Sequence, residues 1–328
     1  MMVLSRRSVL PVLVAASQAM VRPQTGWAQT GPWPSQSMRI IVVYPPGGLS
    51  DGMARALAEQ LSLQLGVPVR VENRAGGGGS VGLQALARAQ PDGHTLAFSA
   101  ISPLTLRPHR GEQLHDPLRD IEPVASVMYT PVLLVATPAF AGRTFDALVQ
   151  LARARPRALR WATSGMATAG HLVLEQVQLG SGIAVTHVPY KGGGQQLTDA
   201  LGGQFELLST NVAPAQLRYI EAGRLTPLAV GAPQRLDVLP RVPTFEELGL
   251  PHANVASLFG LFAPGGTSPA LLDRLNLEIN RALEVPAIRD RLVASDNLPV
   301  IGDRATFSRR IAQEWVSNRR LDRTSIKP

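Results

Sequence analysis

Two glycine-rich loops, each placed between an apolar strand and a helix, constrain this chain more than any other feature. The first loop, Tyr44 to Asp51, follows the apolar run Ile40 to Val43. The second loop, Thr163 to Thr168, follows the short run Leu159 to Ala162. Both loops present backbone N–H groups at the start of a helix, where the helix dipole favours a bound anion. Two such loops far apart in sequence predict two lobes that close on one small acid.

The composition predicts a folded α/β protein large enough for two domains. The chain has 328 residues, of which 45% are hydrophobic, 17% charged and only 5% aromatic. Aliphatic cores of this kind fit parallel sheets covered by helices. There is no cysteine, which excludes thiol chemistry, disulfides and cysteine-based metal sites. The formal net charge of +8 comes without long basic runs or interleaved aromatics, so nucleic acid is not expected as a partner.

The N-terminus has the layout of a secretory signal. Arg6 and Arg7 precede a mostly apolar stretch, Val9 to Met20, and small residues near Ala28 suit a signal peptidase. The stretch is too short to span a bilayer comfortably, although a short anchor or a basic tail is the alternative. We expect residues 1–28 to be a signal peptide that is removed near Ala28, which makes the mature chain periplasmic. The paired arginines favour the twin-arginine route, and general secretion stays open.

Strand and helix patterns alternate along the rest of the chain. Strand–helix units with short connections are predicted over residues 39–99 and 159–230, which implies right-handed crossovers and parallel sheets. The apolar stretches Val124 to Pro138 and Ser257 to Ala263 are interpreted as two crossings between the lobes. Two crossings describe a hinged two-domain receptor whose cleft lies at the carboxyl ends of the strands.

Several short motifs occur in a fixed order from about Met38 to the C-terminus. They are Pro45-Pro46-Gly47-Gly48 with Ser50-Asp51, Val71-Glu72-Asn73-Arg74-Ala75-Gly76, Pro91-Asp92-Gly93-His94-Thr95-Leu96, Thr163-Ser164-Gly165 with His171, His187-Val188-Pro189-Tyr190-Lys191-Gly192, Leu201-Gly202-Gly203-Gln204, and Val242-Pro243-Thr244 with Gly249-Leu250-Pro251. Each motif is weak alone, but their order and spacing together are specific. In this pattern the chain resembles the extracytoplasmic solute receptors of tripartite tricarboxylate transporters, also called Bug receptors.

The resemblance implies a type II periplasmic-binding-protein fold. This is an α/β fold of two lobes, each a mostly parallel sheet flanked by helices, with a cleft between the lobes. Lobe 1 is expected at residues 38–130 and 253–328, and lobe 2 at residues 131–252. The resemblance also implies a small carboxylate held mainly by backbone groups and waters, and delivery to the membrane permease subunits of a tripartite tricarboxylate transporter. We expect capture without chemistry, no cofactor, no metal and a monomer.

The candidate ligand contacts come from the two loops and from the motifs that match the family. Loop glycines expose N–H groups, hydroxyls can donate to a carboxylate, and a lysine can pair with one. The candidates are Tyr44, Gly47, Gly48, Ser50, Thr163, Ser164, Gly165, Thr168, His171, Lys191 and Thr210.

Most of these candidates also have a purely structural explanation. Gly47 can serve a tight turn, and the hydroxyls of the second loop can cap it locally. His171, in the first turn of its helix, fits a structural histidine better than a ligand contact, and Lys191 fits an acid across the hinge equally well. Asp51 is expected to cap its own helix, since a carboxylate beside a bound anion would repel it.

The sequence departs from the family pattern at three positions. Pro46 stands where the family often has alanine, and Ala167 where it often has glycine, which could alter the pose of the ligand. Family members that hold an amino acid commonly have an aspartate at the place of Thr210. Because Thr210 supplies no charge to pair with an ammonium group, we expect a plain carboxylate rather than an amino acid.

Two alternative functions stay open. The stretch Gly78-Gly79-Ser80-Val81-Gly82 formally matches the nucleophile elbow of a serine hydrolase, but seven residues separate Ser80 from the strand end at Glu72. The other alternative is a ligand sensor for a signalling partner, with the same fold and ligand.

The histidines show no ligand spacing typical of zinc, so a zinc site is not supported.

Overall fold

Strands and helices alternate along the computed structural model, which describes residues 33–110 and 119–322. The strands in these residues are β1 (Met38–Val42), β2 (Val69–Asn73), β3 (Thr95–Ala100), β4 (Ile121–Ala136), β5 (Arg160–Thr163), β6 (Thr186–Pro189), β7 (Leu207–Asn211), β8 (Thr226–Gly231), β9 (Ala256–Pro264) and β10 (Leu298–Pro299). The helices are α1 (Leu49–Leu65), α2 (Ser80–Ala87), α3 (Ser102–Thr105), α4 (Phe145–Ala154), α5 (Ala169–Ser181), α6 (Gly193–Leu201), α7 (Pro214–Glu221), α8 (Pro269–Glu284), α9 (Pro286–Val293) and α10 (Arg304–Asp322). Short 3-10 helices span Gly77–Gly79, Arg107–Arg110 and Pro251–Ala253.

Pro34–Pro328 forms one compact unit of the chain. The predicted signal segment, residues 1–28, lies outside the described residues. Across residues 33–110 and 119–322, no helix combines the length and the apolar character that a membrane crossing needs.

The sheet consists of two halves that share one long strand. The first half-sheet has the order β2-β1-β3-β9-β4, with β10 also on β4, and the second has β4-β7-β5-β6, with β8 also on β4. The pairs β1–β2, β1–β3, β5–β6 and β5–β7 are parallel, whereas every pair that includes β4 or β9 is antiparallel. The predicted α/β fold is confirmed, with mixed sheets in place of mostly parallel ones, because the two crossing strands run against the strand–helix units.

Strand β4 shows why this sequence forms a sheet that is buried on both faces. Its side chains alternate between two cores: Val132 and Leu134 pack with Trp161, and Leu133 and Val135 pack with Phe205. Successive side chains of a strand point to opposite faces, so a continuous apolar run fits a sheet with helices on both sides. The predicted crossing at Val124 to Pro138 corresponds to one strand of 16 residues, Ile121–Ala136. The division into lobes at residues 130/131 stays a prediction, and β4 runs through that position.

The helix after the first loop follows its sequence pattern closely. Its apolar face, from Met53 to Leu61, is buried, and Gly66 ends the helix in the left-handed conformation at φ 69°, donating its N–H to Ser62 O at 3.0 Å. The last helix spans Arg304–Asp322. Helix α9 and strand β10 were not predicted, since the short polar segment that forms α9 shows no clear apolar face.

Candidate functional site

A cavity of about 620 Å³ lies where strands of both half-sheets end. Its walls come from the connections β1–α1, β3–α3, β5–α5, β6–α6 and β7–α7, and from β9 and α9. We call this cavity the cleft. It sits at the carboxyl ends of the strands and at helix N-termini, which is where open α/β sheets bind ligands and where anions are favoured.

The first loop is held in shape by the buried carboxylate of Asp51. Asp51 Oδ2 accepts the Gly47 N–H at 3.0 Å, and Oδ1 accepts from Asn73 Nδ2 at 2.9 Å and from Arg55 at 2.9 Å. Burial acts to raise the pKa of Asp51, but the hydrogen bonds from Arg55, Gly47 and Asn73 outweigh it and hold the pKa below its usual value. Asn73 also donates to Tyr44 O at 3.1 Å. The loop therefore reaches the cleft as a rigid turn, with the Gly47 N–H used internally.

The second loop is organised by hydroxyl groups. Thr168 caps α5 by accepting the His171 N–H at 3.4 Å, and its own hydroxyl donates to Gly165 O at 2.8 Å. Ser164 donates to Gln196 Oε1 at 3.2 Å, which ties the loop to α6. Both hydroxyl protons thus already have acceptors. The groups that these residues leave for a ligand are therefore their hydroxyl oxygens and their backbone.

Backbone meets backbone where loops of the two half-sheets touch. A Cβ atom added to Gly165 would lie 3.2 Å from Gly78 Cα. A Cβ atom added to Gly78 would lie 2.5 Å from Met166 O. A second contact brings the first loop against α6, where a Cβ on Gly192 would lie 2.3 Å from Pro45 Cδ. Only glycine permits approaches this close, so the glycines on both sides bring the loops together.

The charge of the cleft favours anions. Arg218 on α7 and Arg291 on α9 belong to its lining, and no aspartate or glutamate does among the residues that the structure describes. Neither arginine forms an ion pair within residues 33–110 and 119–322. Uncompensated cations in a concave site concentrate negative solutes.

Comparison with known proteins decides the family. The family described as "Tripartite tricarboxylate transporter family receptor" matches residues 53–323. The chain belongs to this receptor family. Protein BugT of Bordetella pertussis is 38% identical over 274 residues, which cover 82% of this chain and 83% of BugT.

Solved structures of similar proteins share the fold. The Rhodopseudomonas palustris protein Rpa4515, solved with adipate, is 29% identical with a TM-score of 0.83, covering 89% of this chain and 98% of its own. MatC from Rhodopseudomonas palustris, solved with bound malate, is 26% identical with a TM-score of 0.83, covering 88% of this chain and 100% of its own. The fold of this receptor is thus the periplasmic-binding-protein fold that the motifs predicted.

The structure places the predicted contacts of this family member in two groups. The cleft lining includes seven of them: Tyr44, Gly47, Gly48, Ser50, Ser164, Thr168 and Thr210. The other four, Thr163, Gly165, His171 and Lys191, are not part of that lining. Tyr44 is buried against Phe259, with ring centroids 6.2 Å apart, and burial raises the pKa of its hydroxyl to about 12, so it remains protonated.

His171 belongs to a buried layer beneath the second loop. Its ring stacks on His187 with centroids 4.4 Å apart, and its Nδ1 accepts the Ala167 N–H at 3.3 Å. His187 Nε2 lies 2.7 Å from Thr163 Oγ1. Burial and the neighbouring His171 lower the pKa of His187 to about 4, so it is neutral at physiological pH. These groups support the loop from below.

Sequence reasoning missed several cleft residues. Arg218 and Tyr219 lie on α7, Arg291 on α9, and Asn211 and Ser257 come from neighbouring strands. The Asn211 side chain donates to Ser257 Oγ at 2.8 Å, which joins β7 to β9 at the cleft floor. A signal for Arg218 was present, since it lies within two turns of a helix that starts at a strand end. Arg291 had none, because its helix was not predicted.

The alternative site at Ser80 does not have the geometry of a nucleophile. Ser80 is 3% exposed, and its hydroxyl has no hydrogen-bond partner among the described residues. A nucleophilic serine needs a base within hydrogen-bond distance. Groups of three or more potential metal ligands are also absent from the part of the chain that the structure describes.

We expect Asp51→Asn to loosen the first loop and to destabilise the protein by about 1–3 kcal/mol at neutral pH, since the hydrogen bonds it weakens involve a charged group. The folded-state pKa of Asp51 is lowered, so its stabilising contribution is present above the unfolded pKa and is lost as pH falls through the folded one. Urea unfolding at neutral and acid pH measures this, with the exposed Asp290→Asn as control. A loss that does not shrink in acid would contradict the role assigned to Asp51.

Proposed function

We propose that this chain is an exported solute-binding receptor that captures a small organic carboxylate in the cleft. The supporting observation is the composition of the cleft: helix N-termini and two arginines surround it, and no acidic residue is found in its described lining. Adipate and malate, the acids with which two structural neighbours were solved, are both dicarboxylates. Two arginines on separate helices suit such a ligand, because each can pair with one of its two carboxylates.

The proposed mechanism is capture by closure. The carboxylate contacts the N-terminal turn of α1 from one half-sheet and the second loop from the other. Contacts that exist only when both loops are close favour the closed arrangement over the open one. The contact candidates in the lining are Tyr44, Gly47, Gly48, Ser50, Ser164, Thr168 and Thr210, although the Gly47 N–H already donates to Asp51. Thr163 and His171 support the second loop from outside the lining, and Gly165 and Lys191 also lie outside it.

The closed receptor is proposed to deliver its ligand to the permease subunits of a tripartite tricarboxylate transporter, and to work as a monomer. Export would place it in the periplasm after removal of residues 1–28. A sensor role with the same ligand differs only in the partner. The hydrolase alternative gains no support from the environment of Ser80, which is buried and without a base.

The first experiment is thermal unfolding of the protein purified from the periplasm, against mono-, di- and tricarboxylates and amino acids. A ligand at about 100 times its dissociation constant adds about 2.7 kcal/mol, which raises the midpoint by a few degrees. We expect dicarboxylates such as succinate to stabilise more than glutamate, because Thr210 and the rest of the described cleft offer no acid to an ammonium group. The intact mass of the same preparation shows whether residues 1–28 are removed. Stronger stabilisation by glutamate would overturn the proposed ligand class.

We expect Arg218→Gln and Arg291→Gln each to weaken binding of the best dicarboxylate. Both arginines are exposed at the cleft, so the expected loss is about three- to tenfold and grows at low ionic strength. Isothermal titration at two salt concentrations measures the effect. Arg224→Gln, an exposed arginine outside the cleft lining, is the matched control. Wild-type affinity in both cleft variants would show that the arginines do not contact the ligand.

We expect Gly78→Ala to block closure, because its Cβ would lie 2.5 Å from Met166 O. Gly66→Ala is a matched control: its φ of +69° resembles the +62° of Gly78, but no atom lies within 4 Å of the added carbon. Small-angle scattering with saturating dicarboxylate should show compaction in wild type and Gly66→Ala only. Equal compaction in Gly78→Ala would refute this contact as part of the closed state.

A further inference from the structure

A second cavity, of about 480 Å³, lies beside the cleft and shares part of its wall. Ala100, Ser102, Ala169 and Ser257 line both cavities. The remaining walls come from α3, the start of α5, the 3-10 helix Pro251–Ala253, the start of β9, and α10. Elements of both half-sheets therefore enclose this space, which the proposed function does not use.

The walls of the second cavity combine aliphatic residues with polar ones from several elements, and its carboxyl group comes from α10. Leu106, Leu172 and Val255 line it and belong to one small apolar cluster. Glu314 and Asn318 line it from α10. Residues four apart on a helix are neighbours on one face, about 5–6 Å between Cβ atoms. One small molecule can therefore contact both side chains.

Glu314 is a carboxyl group without a cationic partner in the described residues. The Thr105 hydroxyl lies 2.7 Å from Glu314 Oε1 and 3.1 Å from Ile101 O, and its single proton serves one of these bonds. Burial raises the pKa of Glu314 to about 7, against a smaller opposing effect of Thr105 and Asn318. A buried carboxyl with this environment ionises readily once a cation arrives.

Asn318 carries an unused donor. Its side chain is 4% exposed, and its Nδ2 has no hydrogen-bond partner among the described residues, although its proximity to Glu314 acts to lower the pKa of that group. Buried donors are nearly always paired in folded proteins, so one that faces a cavity indicates an acceptor that the cavity can hold.

Other charged groups around Glu314 are occupied elsewhere. On the 3-10 helix next to α10, His109 Nε2 lies 3.2 Å from Trp315 O and Arg107 donates to Gly77 O. On α10 itself, Arg310 lies over the ring of Tyr129 on β4 and donates to its hydroxyl. His252 lines the second cavity at its exposed rim.

We propose that the second cavity binds a small primary amine that carries an oxygen acceptor next to its ammonium group, as an amino alcohol does. The ammonium group donates to the Glu314 carboxylate, and the oxygen accepts from Asn318 Nδ2. The short carbon body lies against the aliphatic walls. The cleft does not compete for such a ligand, because its arginines repel a cation and no acid lies in its described lining.

Three probes of similar size test the proposal on the wild-type protein by NMR chemical shift perturbation. Ethanolamine has both groups, ethylamine lacks the acceptor, and ethylene glycol lacks the charge. We expect saturable binding in the order ethanolamine, ethylamine, ethylene glycol, with shifts centred on α10 and residues 251–258. Ethanolamine should bind more tightly as pH rises through about 7, because Glu314 must be ionised. No saturable response, or shifts centred on the cleft, would overturn the proposal.

Matched variants separate the two contacts. Glu314→Gln should abolish ethanolamine binding, whereas Glu284→Gln, at an exposed position on α8, should leave it unchanged. Asn318→Ala should lower the affinity for ethanolamine to that for ethylamine, and it should leave the affinity for ethylamine unchanged. Equal ethanolamine binding in Glu314→Gln would overturn the assignment. If that variant does not fold, the selective loss in Asn318→Ala and the pH dependence of the wild type decide the question.

Discussion

The cleft depends on one constraint, which is that both half-sheets are built on the same strand. Residues 121–131 of β4 pair with β9, and residues 132–136 pair with β7 and β8. Because the parallel strands β1 and β5 are held at fixed positions relative to β4, the loops that follow them face one shared space. Glycines then set how near these loops come, since a single Cβ at Gly78 or Gly192 would clash with the opposite side. The shared strand thus orients the loops toward the cleft, and the glycines allow the loops to come into contact.

Much of the fold follows from local sequence rules. Gly66 and Thr144 end and begin their helices as the capping rules require, and Thr144 accepts the Ala147 N–H at 3.2 Å. The sequence could not show that Val124 to Pro138 forms one strand. Pro123 and Pro131 lie inside β4 and lack the N–H that a ladder needs, so pattern reasoning favours a break there. The strand accommodates Pro123 with a register shift beside it.

The candidate site was predictable where backbone geometry defines it, and less so where tertiary packing does. The loops Tyr44 to Asp51 and Thr163 to Thr168 carry their own signals, because a glycine turn between a strand and a helix N-terminus favours an anion. His171 was a candidate contact that fitted a structural histidine better by its position in the first turn, and its ring stacks on His187. Arg291 reaches the cleft through the packing of a late helix, which no local pattern reveals.

The two cavities have opposite electrostatic character although they share a wall. The cleft has arginines and no acid in its described lining, and the second cavity has Glu314 and, among its described lining, no lysine or arginine. The two cavities therefore favour ligands of opposite charge. Their common wall consists of small residues, with Ser257 Oγ already accepting from Asn211 at the cleft floor. A shift of Ser102 or Ser257 on one side must alter the other, so the shared wall is the place where two different solutes could influence each other's binding.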